Sequence, residues 1–107
     1  MAIDWNEDIV ITELSDEPAL SDELSSLHQQ MSGLKKTPHL VLNFAGVSYI
    51  NSSNLAQLLR LRKLLAERSR ILKLCSVCDE IWSVFMLTGL DKVFRFAGKS
   101  SHQIFLE

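Results

Sequence analysis

Between Val41 and Ala66 the chain passes directly from a strand-like to a helix-like pattern, and this handover constrains the fold more than any other feature. A mostly apolar run ends in a polar stretch, residues 51–54, and a leucine-rich helical run follows. The stretch carries two adjacent serines, Ser52 and Ser53. Because a helix N-terminus has free N–H groups and a partial positive charge, it favours an anion such as a phosphate. These two hydroxyls are therefore the first place to look for function.

Strand-like and helix-like segments alternate along the chain. The strand-like segments are short and apolar or β-branched: Ile9–Thr12, His39–Phe44, Ile71–Leu74 and Val93–Phe96, with a shorter one at Ile3 and Trp5. The mostly apolar run His39–Phe44 predicts a strand that is buried on both faces. Alternation of this kind predicts an α/β layer with helices packed on a mixed or parallel sheet.

The first two helices are predicted from apolar spacing. In the first, residues at steps of four and three share one face: Leu20, Leu24, Leu27, Met31 and Leu34. Pro18 suits the first turn of this helix and Gly33 suits its end. In the second, the expected inner face comprises Leu55, Leu58, Leu59, Leu65 and Ala66. Leu61 and Leu64 lie off that face, and whether they belong to the core or to a partner surface stays open.

Asp79 is suited to cap a short third helix, which carries a core Trp82 and ends at Gly89. Ser100 opens a last helical turn or two, with Ile104 and Phe105 packing back onto the domain. The predicted fold is thus a mixed β-sheet of four to five strands with about four helices packed on it. At 107 residues the chain is expected to be a single domain spanning residues 1–107.

Composition excludes several classes of function. The net charge of −2 and the lack of a basic patch interleaved with aromatic residues argue against a nucleic-acid partner. No apolar run approaches the length of a membrane span and no signal-peptide pattern is present, so a cytoplasmic protein without membrane insertion is expected. The first quarter is acidic and the middle is basic, which indicates either solvated faces or a polar rim for a protein partner.

Other candidate chemistry is weak. Cys75 and Cys78 supply two of the four ligands that a structural zinc ion needs, and there is no second pair. His28, His39 and His102 are scattered without ligand spacing. The serines have no Gly-x-Ser-x-Gly context, and no phosphate-cradling glycine loop is present. We therefore expect no metal, no cofactor and no catalysis.

Three stretches of the sequence resemble segments of one family. Residues 41–50 resemble a central strand and its turn. Residues 51–55, with the helix after them, stand where that family has an Asp-Ser-Ser/Thr-Gly-Leu motif. Residues 87–94 contain a Leu-Thr-Gly-Leu segment before the last strand. Together these features resemble the STAS domain, and within it the bacterial anti-sigma factor antagonists, over roughly Ile9 to Glu107.

The resemblance implies a partner-switching protein. In that family the serine after the motif Asp is phosphorylated by a cognate anti-sigma factor that is also an ATPase-type serine kinase, and by position that serine is Ser52. The unmodified protein is expected to bind the kinase and free the sigma factor. Phosphorylation is expected to break the complex, and a phosphatase to restore it. The surrounding contact surface is expected to comprise Asn51, Ser53, Asn54 and Leu55.

Two positions depart from the family motif. Asn51 replaces the Asp, which keeps the capping ability and loses the charge. The loss either eases phosphate addition or removes a group that orients the hydroxyl. Asn54 replaces the Gly and adds a side chain where the family surface is bare, which either weakens docking of the usual partner or suits another.

Four other interpretations stay open. The chain could be a phosphorylation-independent STAS accessory subunit of a lipid or anion transport complex, or a degenerate STAS interaction scaffold. Ser52 or Ser53 could simply cap the helix, since Ser is a favoured cap. An enzyme that uses the adjacent serines is the remaining alternative.

Overall fold

The computed structural model describes residues 2–5 and 8–97 of the chain. The elements run in the order β1 (Ala2–Trp5), β2 (Ile9–Ser15), α1 (Ala19–Gly33), β3 (His39–Gly46), α2 (Ser52–Glu67), β4 (Leu72–Cys75), α3 (Asp79–Thr88), a short 3-10 helix (Leu90–Lys92) and β5 (Arg95–Phe96). The predicted helical turn from Ser100, with Ile104 and Phe105, lies outside the described residues.

The five strands form one mixed sheet in the order β1-β2-β3-β4-β5. β1 is antiparallel to β2, and the other neighbouring pairs are parallel. The register aligns buried residues across the parallel strands, as in the row formed by Thr12, Leu42, Leu74 and Phe96. The mixed α/β sheet is thus confirmed. The described residues contain three α-helices; the sequence predicted about four, and the last of these lies outside the described residues.

The prediction that β3 is buried on both faces is wrong. Its burial alternates: Leu40, Leu42 and Phe44 are buried, whereas the residues between them are half-buried. The cause is topological. Sequential parallel strands joined by right-handed crossovers place their helices on the same face of the sheet. On the opposite face, Ile9 and Ile11 of β2 remain 42% and 40% exposed.

The inner face of α2 also differs from the prediction. Leu58, Leu61 and Leu65 are fully buried, so Leu61 belongs to the core. Leu59 is 37% exposed, and Ala66 is exposed too. Residues at steps of three and four share a helical face, and Leu59 and Ala66 each lie one position further round the helix.

The half-buried residues of α2 complete its packing. Leu55 and Leu64 are partly buried and pack against the core cluster. Both residues therefore flank the buried row of α2, although the sequence placed Leu64 off the inner face.

The third helix begins one residue earlier than a cap at Asp79 would allow. Cys78 is the N-cap, and Asp79 is the first helical residue, where its charge complements the helix dipole. Gly89 ends the helix in the left-handed conformation with φ 77°, as predicted. Trp82 is buried and its ring packs edge-on against Phe96, with centroids 4.9 Å apart.

The last strand is shorter than the predicted Val93–Phe96. The backbone N–H groups of Val93 and Phe94 donate to the carbonyl of Leu90, at 3.0 and 3.1 Å. These two groups are therefore occupied by the 3-10 turn, and only Arg95 and Phe96 pair with β4. None of the helices in the described part of the chain has the length and apolarity that crossing a membrane would require.

Candidate functional site

Ser52 is the first residue of α2, and Asn51 is its N-cap. The Asn51 side-chain oxygen accepts a hydrogen bond from the Asn54 backbone N–H at 2.8 Å. In return, the Asn51 backbone N–H donates to the Asn54 side-chain oxygen at 3.1 Å. The two asparagines therefore form a reciprocal capping box that fixes the start of the helix.

This cap leaves the two serines outside the capping bonds. Ser52 and Ser53 are both exposed. As the first two residues of the helix, their backbone N–H groups have no acceptor within the helix. The site thus combines accessible hydroxyls with backbone donors at the positive end of a helix. The cap role that the sequence left open for a serine belongs to Asn51.

Asn54 has a different position from the one expected of a partner-contact residue. It is fully buried, and its side-chain amide donates to the Gln57 oxygen at 3.4 Å. Gln57 in turn donates to the Ser21 carbonyl at 3.0 Å and to the Ser25 hydroxyl at 3.1 Å on α1. Asn54 therefore connects the start of α2 to α1, and its side chain is not presented to a partner.

The other two residues of the expected contact surface are partly covered. Asn51 and Leu55 are half-buried, and Leu55 packs against the hydrophobic core. Of the four surrounding residues that the sequence singled out, Ser53 is thus the one that is exposed beside Ser52.

A second loop, between β2 and α1, lies against the loop that precedes Ser52. The Asp16 carboxylate accepts hydrogen bonds from both the backbone N–H and the hydroxyl of Ser48, each at 2.8 Å. The backbone bond from Ser48, then its hydroxyl, holds the pKa of Asp16 below the ordinary value, with a smaller contribution from the Tyr49 N–H. This contact is not predictable from the sequence alone, because the two residues lie 32 positions apart in unrelated segments.

Glu17, the next residue in this loop, brings a carboxylate close to the cap of α2. It accepts from the hydroxyl of Ser21 at 2.5 Å and from the Ser21 backbone N–H at 2.7 Å. These bonds lower the pKa of Glu17, the hydroxyl bond most, and the side-chain amides of Asn54 and Asn51 lower it further. A negative charge therefore lies beside Asn51, the position where the family motif carries its Asp.

Four exposed residues of the β3–α2 loop and the helix start, with two carboxylates at their border, make up what we call the Ser52 surface: Ser48, Tyr49, Ser52 and Ser53, bordered by Asp16 and Glu17. Tyr49 is 65% exposed. An exposed aromatic ring beside accessible hydroxyls and two carboxylates is a combination suited to a protein partner, since tyrosine is enriched at binding hot spots.

The cysteines lie near this loop but form no bridge. Neither Cys75 nor Cys78 forms a disulfide, and both are half-buried. The Cys78 sulfur is 3.8 Å from the Val47 carbonyl oxygen and 3.9 Å from that of Ser48. Among residues 2–5 and 8–97, no group of three or more His, Cys, Asp or Glu side chains is placed to hold a metal ion.

Comparison with known proteins identifies the family. The family model described as the STAS domain matches residues 7–104. No curated protein sequence matches the chain.

Solved structures share the fold at low sequence identity. An anti-sigma-factor antagonist (STAS) domain protein from Planctomyces limnophilus is 18% identical, with a TM-score of 0.75 over 98% of this chain and 94% of that one. A candidate anti-sigma factor antagonist from Thermotoga maritima is 15% identical, with a TM-score of 0.77 over 97% and 90% of the two chains. A sulfate transporter family protein from Wolinella succinogenes is 17% identical, with a TM-score of 0.75 over 92% and 82%.

The family match spans most of the chain, and the strand order and helix placement described above agree with it. The chain therefore belongs to the STAS domain family.

Proposed function

We propose that this protein is a non-catalytic anti-sigma factor antagonist that works by partner switching in the bacterial cytoplasm. In the unphosphorylated state it binds an anti-sigma factor that is also an ATPase-type serine kinase. Phosphorylation of Ser52 releases it, and a phosphatase resets it. The observation that carries the proposal is the position of Ser52, which is exposed at the first residue of a firmly capped helix in a STAS fold.

The helix tolerates a phosphate at this position. A phosphoserine adds about −1.5 to −2 charges and three strong acceptor oxygens. The free N–H groups of Ser52 and Ser53 and the helix dipole favour an anion there. The capping bonds between Asn51 and Asn54 do not involve the Ser52 hydroxyl, so they persist after modification.

The interface does not tolerate it. Asp16 and Glu17 already bring two carboxylates to the border of the Ser52 surface. A phosphate adds to this negative charge. One buried and unmatched charge in an interface costs several kcal/mol, or roughly a thousandfold in affinity. Binding and release are then separate states of one surface on an unchanged fold.

Some residues at this site are assigned to direct contact with the kinase, and others to holding the contact residues in place. We assign Tyr49, Ser52 and Ser53 to direct contact with the kinase. Asn51, Asn54 and Leu55 support this contact from beneath, because they are half-buried or buried and hold the helix start in place. The family motif has an Asp at the position of Asn51. Here the Glu17 carboxylate supplies a negative charge close to that position.

The test is incubation with ATP and the cognate kinase, followed by intact-mass analysis and fragment mapping. We expect one phosphate, on Ser52. Ser52→Ala should take up none and still bind the kinase, whereas the matched control Ser53→Ala should take up one. Full incorporation into Ser52→Ala would disprove the site assignment.

A second candidate function is that of an accessory subunit in a transport complex for lipids or anions. The specific observation in its favour is the shared fold with the sulfate transporter family protein from Wolinella succinogenes. Pull-down from the native host discriminates the two functions. Recovery of a serine kinase and loss of its binding to the Ser52-phosphorylated protein supports switching. Recovery of a permease or its ATPase, whose binding does not depend on the phosphorylation of Ser52, supports the transport function.

A further inference from the structure

Three arginines line a small pocket at the end of α2 that lies away from Ser52. Arg62 comes from α2, Arg70 from the turn before β4, and Arg95 from β5. The pocket has a volume of about 120 Å³. This is far below the ~300–1,000 Å³ of pockets that enclose drug-sized ligands, so it has room for a single small group.

Two of these side chains are held in place by the backbone. The Nε of Arg62 donates to the Val93 carbonyl at 3.1 Å, and the Nε of Arg70 donates to the Thr37 carbonyl at 2.7 Å. Each guanidinium therefore keeps its two Nη groups for another acceptor, and within residues 2–5 and 8–97 neither makes a further hydrogen bond. Arg68 behaves differently, since its Nη groups are taken up by four acceptors around the end of α1.

Among the described residues, those that line the pocket include no acidic side chain. Arginine is the residue best suited to bind a tetrahedral oxyanion, because its planar fork presents paired donors.

We propose that this pocket binds a phosphate group through Arg62, Arg70 and Arg95. The group is not a phosphate on Ser52 of the same molecule, because ten helical residues separate Ser52 from Arg62, which is a distance of about 15 Å. The proposal is therefore independent of the proposed function. The phosphate belongs either to a small soluble molecule or to a lipid headgroup, and the shared chemistry is a phosphate anion.

The test is an NMR titration of the full chain with inorganic phosphate at constant ionic strength, with chloride as the reference anion. We expect saturable shifts of the backbone amides of Leu72 and Val93, which line the pocket. Arg95→Gln is the main variant, because the side chain is exposed and its loss should leave the fold intact. We expect it to weaken phosphate binding roughly tenfold, as the loss of a charge-assisted hydrogen bond does. Arg62→Gln should weaken binding similarly.

Lys63→Gln is the matched control, since it removes one positive charge from an exposed position on α2, next to Arg62 but outside the pocket. It should change phosphate affinity less than twofold. A second arm uses vesicles of phosphatidylcholine with and without phosphatidic acid. If the wild-type chain sediments with the phosphatidic acid vesicles and Arg95→Gln does not, the ligand is a lipid headgroup. Phosphate binding without vesicle binding assigns a soluble ligand.

Two results would overturn the proposal. One is the absence of both saturable phosphate binding and phosphatidic acid binding in the wild-type chain. The other is an equal loss of binding in Lys63→Gln and Arg95→Gln, which would show general charge attraction in place of a defined pocket.

Discussion

Asp16 and Ser48 lie 32 positions apart and make two hydrogen bonds of 2.8 Å each, one to the Ser48 backbone N–H and one to its hydroxyl. This pair joins the β2–α1 loop to the loop that leads into Ser52. Glu17, the neighbour of Asp16, makes a similar pair of bonds to Ser21 at the start of α1. The Ser52 surface is therefore supported by carboxylates from another part of the chain.

These carboxylates predict a loss of stability in acid. The hydrogen bonds of Ser48 lower the folded-state pKa of Asp16, and those of Ser21 lower that of Glu17, from ordinary values of 3.8 and 4.5. A lowered folded-state pKa contributes stability that is fully present above the unfolded-state pKa. It is lost as the pH falls through the folded-state value.

We therefore expect the melting temperature to be flat with respect to these groups above about pH 5 and to fall below about pH 4. The Asp16→Asn, Glu17→Gln double variant should show a shallower fall. Thermal denaturation followed by circular dichroism across pH 2–7 measures both. An identical acid slope in wild type and double variant would contradict this assignment.

Thr12→Val should stabilise the fold. Thr12 is fully buried in β2, and its hydroxyl has no hydrogen-bond partner among the described residues. Valine fills nearly the same volume and removes the cost of burying an unsatisfied hydroxyl, so we expect a gain of about 1 kcal/mol in the free energy of unfolding. Thr12→Ser is the control: it keeps the hydroxyl, removes a methyl group and should destabilise. Urea denaturation measures the free energy of unfolding of both variants. A loss of stability in Thr12→Val would show that the hydroxyl has a partner.

Gly46→Ala should destabilise the fold. A Cβ at this position would lie 2.9 Å from the backbone carbonyl oxygen of Leu14, next to an irregular register between β2 and β3. Because backbone atoms cannot rotate away, we expect a loss of about 1–3 kcal/mol. Gly33→Ala is the matched control, since a Cβ at the end of α1 meets nothing within 4 Å. It should be neutral or stabilise by up to about 1 kcal/mol. Equal effects in the two variants would rule out the close approach at Gly46.

The capping box predicts different outcomes for restoring the two family residues. Asn51→Asp keeps the capping oxygen and adds a charge that the helix dipole favours, but it also replaces an amide beside the Glu17 carboxylate with a second negative group. Because these effects oppose each other, we expect little change in the free energy of unfolding. Asn54→Gly removes a buried side chain that bonds Asn51 and Gln57. It should cost about 1–2 kcal/mol. Denaturation of both single variants and the double variant tests this. If Asn54→Gly has no effect, the buried asparagine is not a structural residue.

The fold was largely predictable because its determinants are local. Apolar spacing gave α1 its buried face, the left-handed Gly89 ended α3, and the strand and helix alternation gave the mixed sheet. The errors arose where tertiary packing decides. An apolar pattern does not distinguish a half-buried strand from a fully buried one, so the burial of β3 was overestimated. Nor does leucine content distinguish Leu61, which is buried, from Leu59, which is partly exposed.

The site was predictable only in part for the same reason. The resemblance singled out Ser52, whose role stays a prediction, and the polar stretch before the helix indicated a cap. The sequence treated Asn54 as a surface residue, because only the fold shows that its side chain turns inward to Gln57. Asp16 and Glu17 were missed as well. Their contacts with Ser48 and with the α2 cap depend on parallel strands bringing two loops together at one edge of the sheet.

The central claim is that a phosphate on Ser52 changes the docking surface and leaves the fold intact. The most direct measurement is the affinity of the purified kinase partner for the unmodified protein and for the protein fully phosphorylated on Ser52, with circular dichroism melting curves of both forms. We expect affinity to fall roughly a thousandfold, while the melting temperature is unchanged or rises slightly. Equal affinity of the two forms, or a phosphorylated form that no longer folds, would contradict the account.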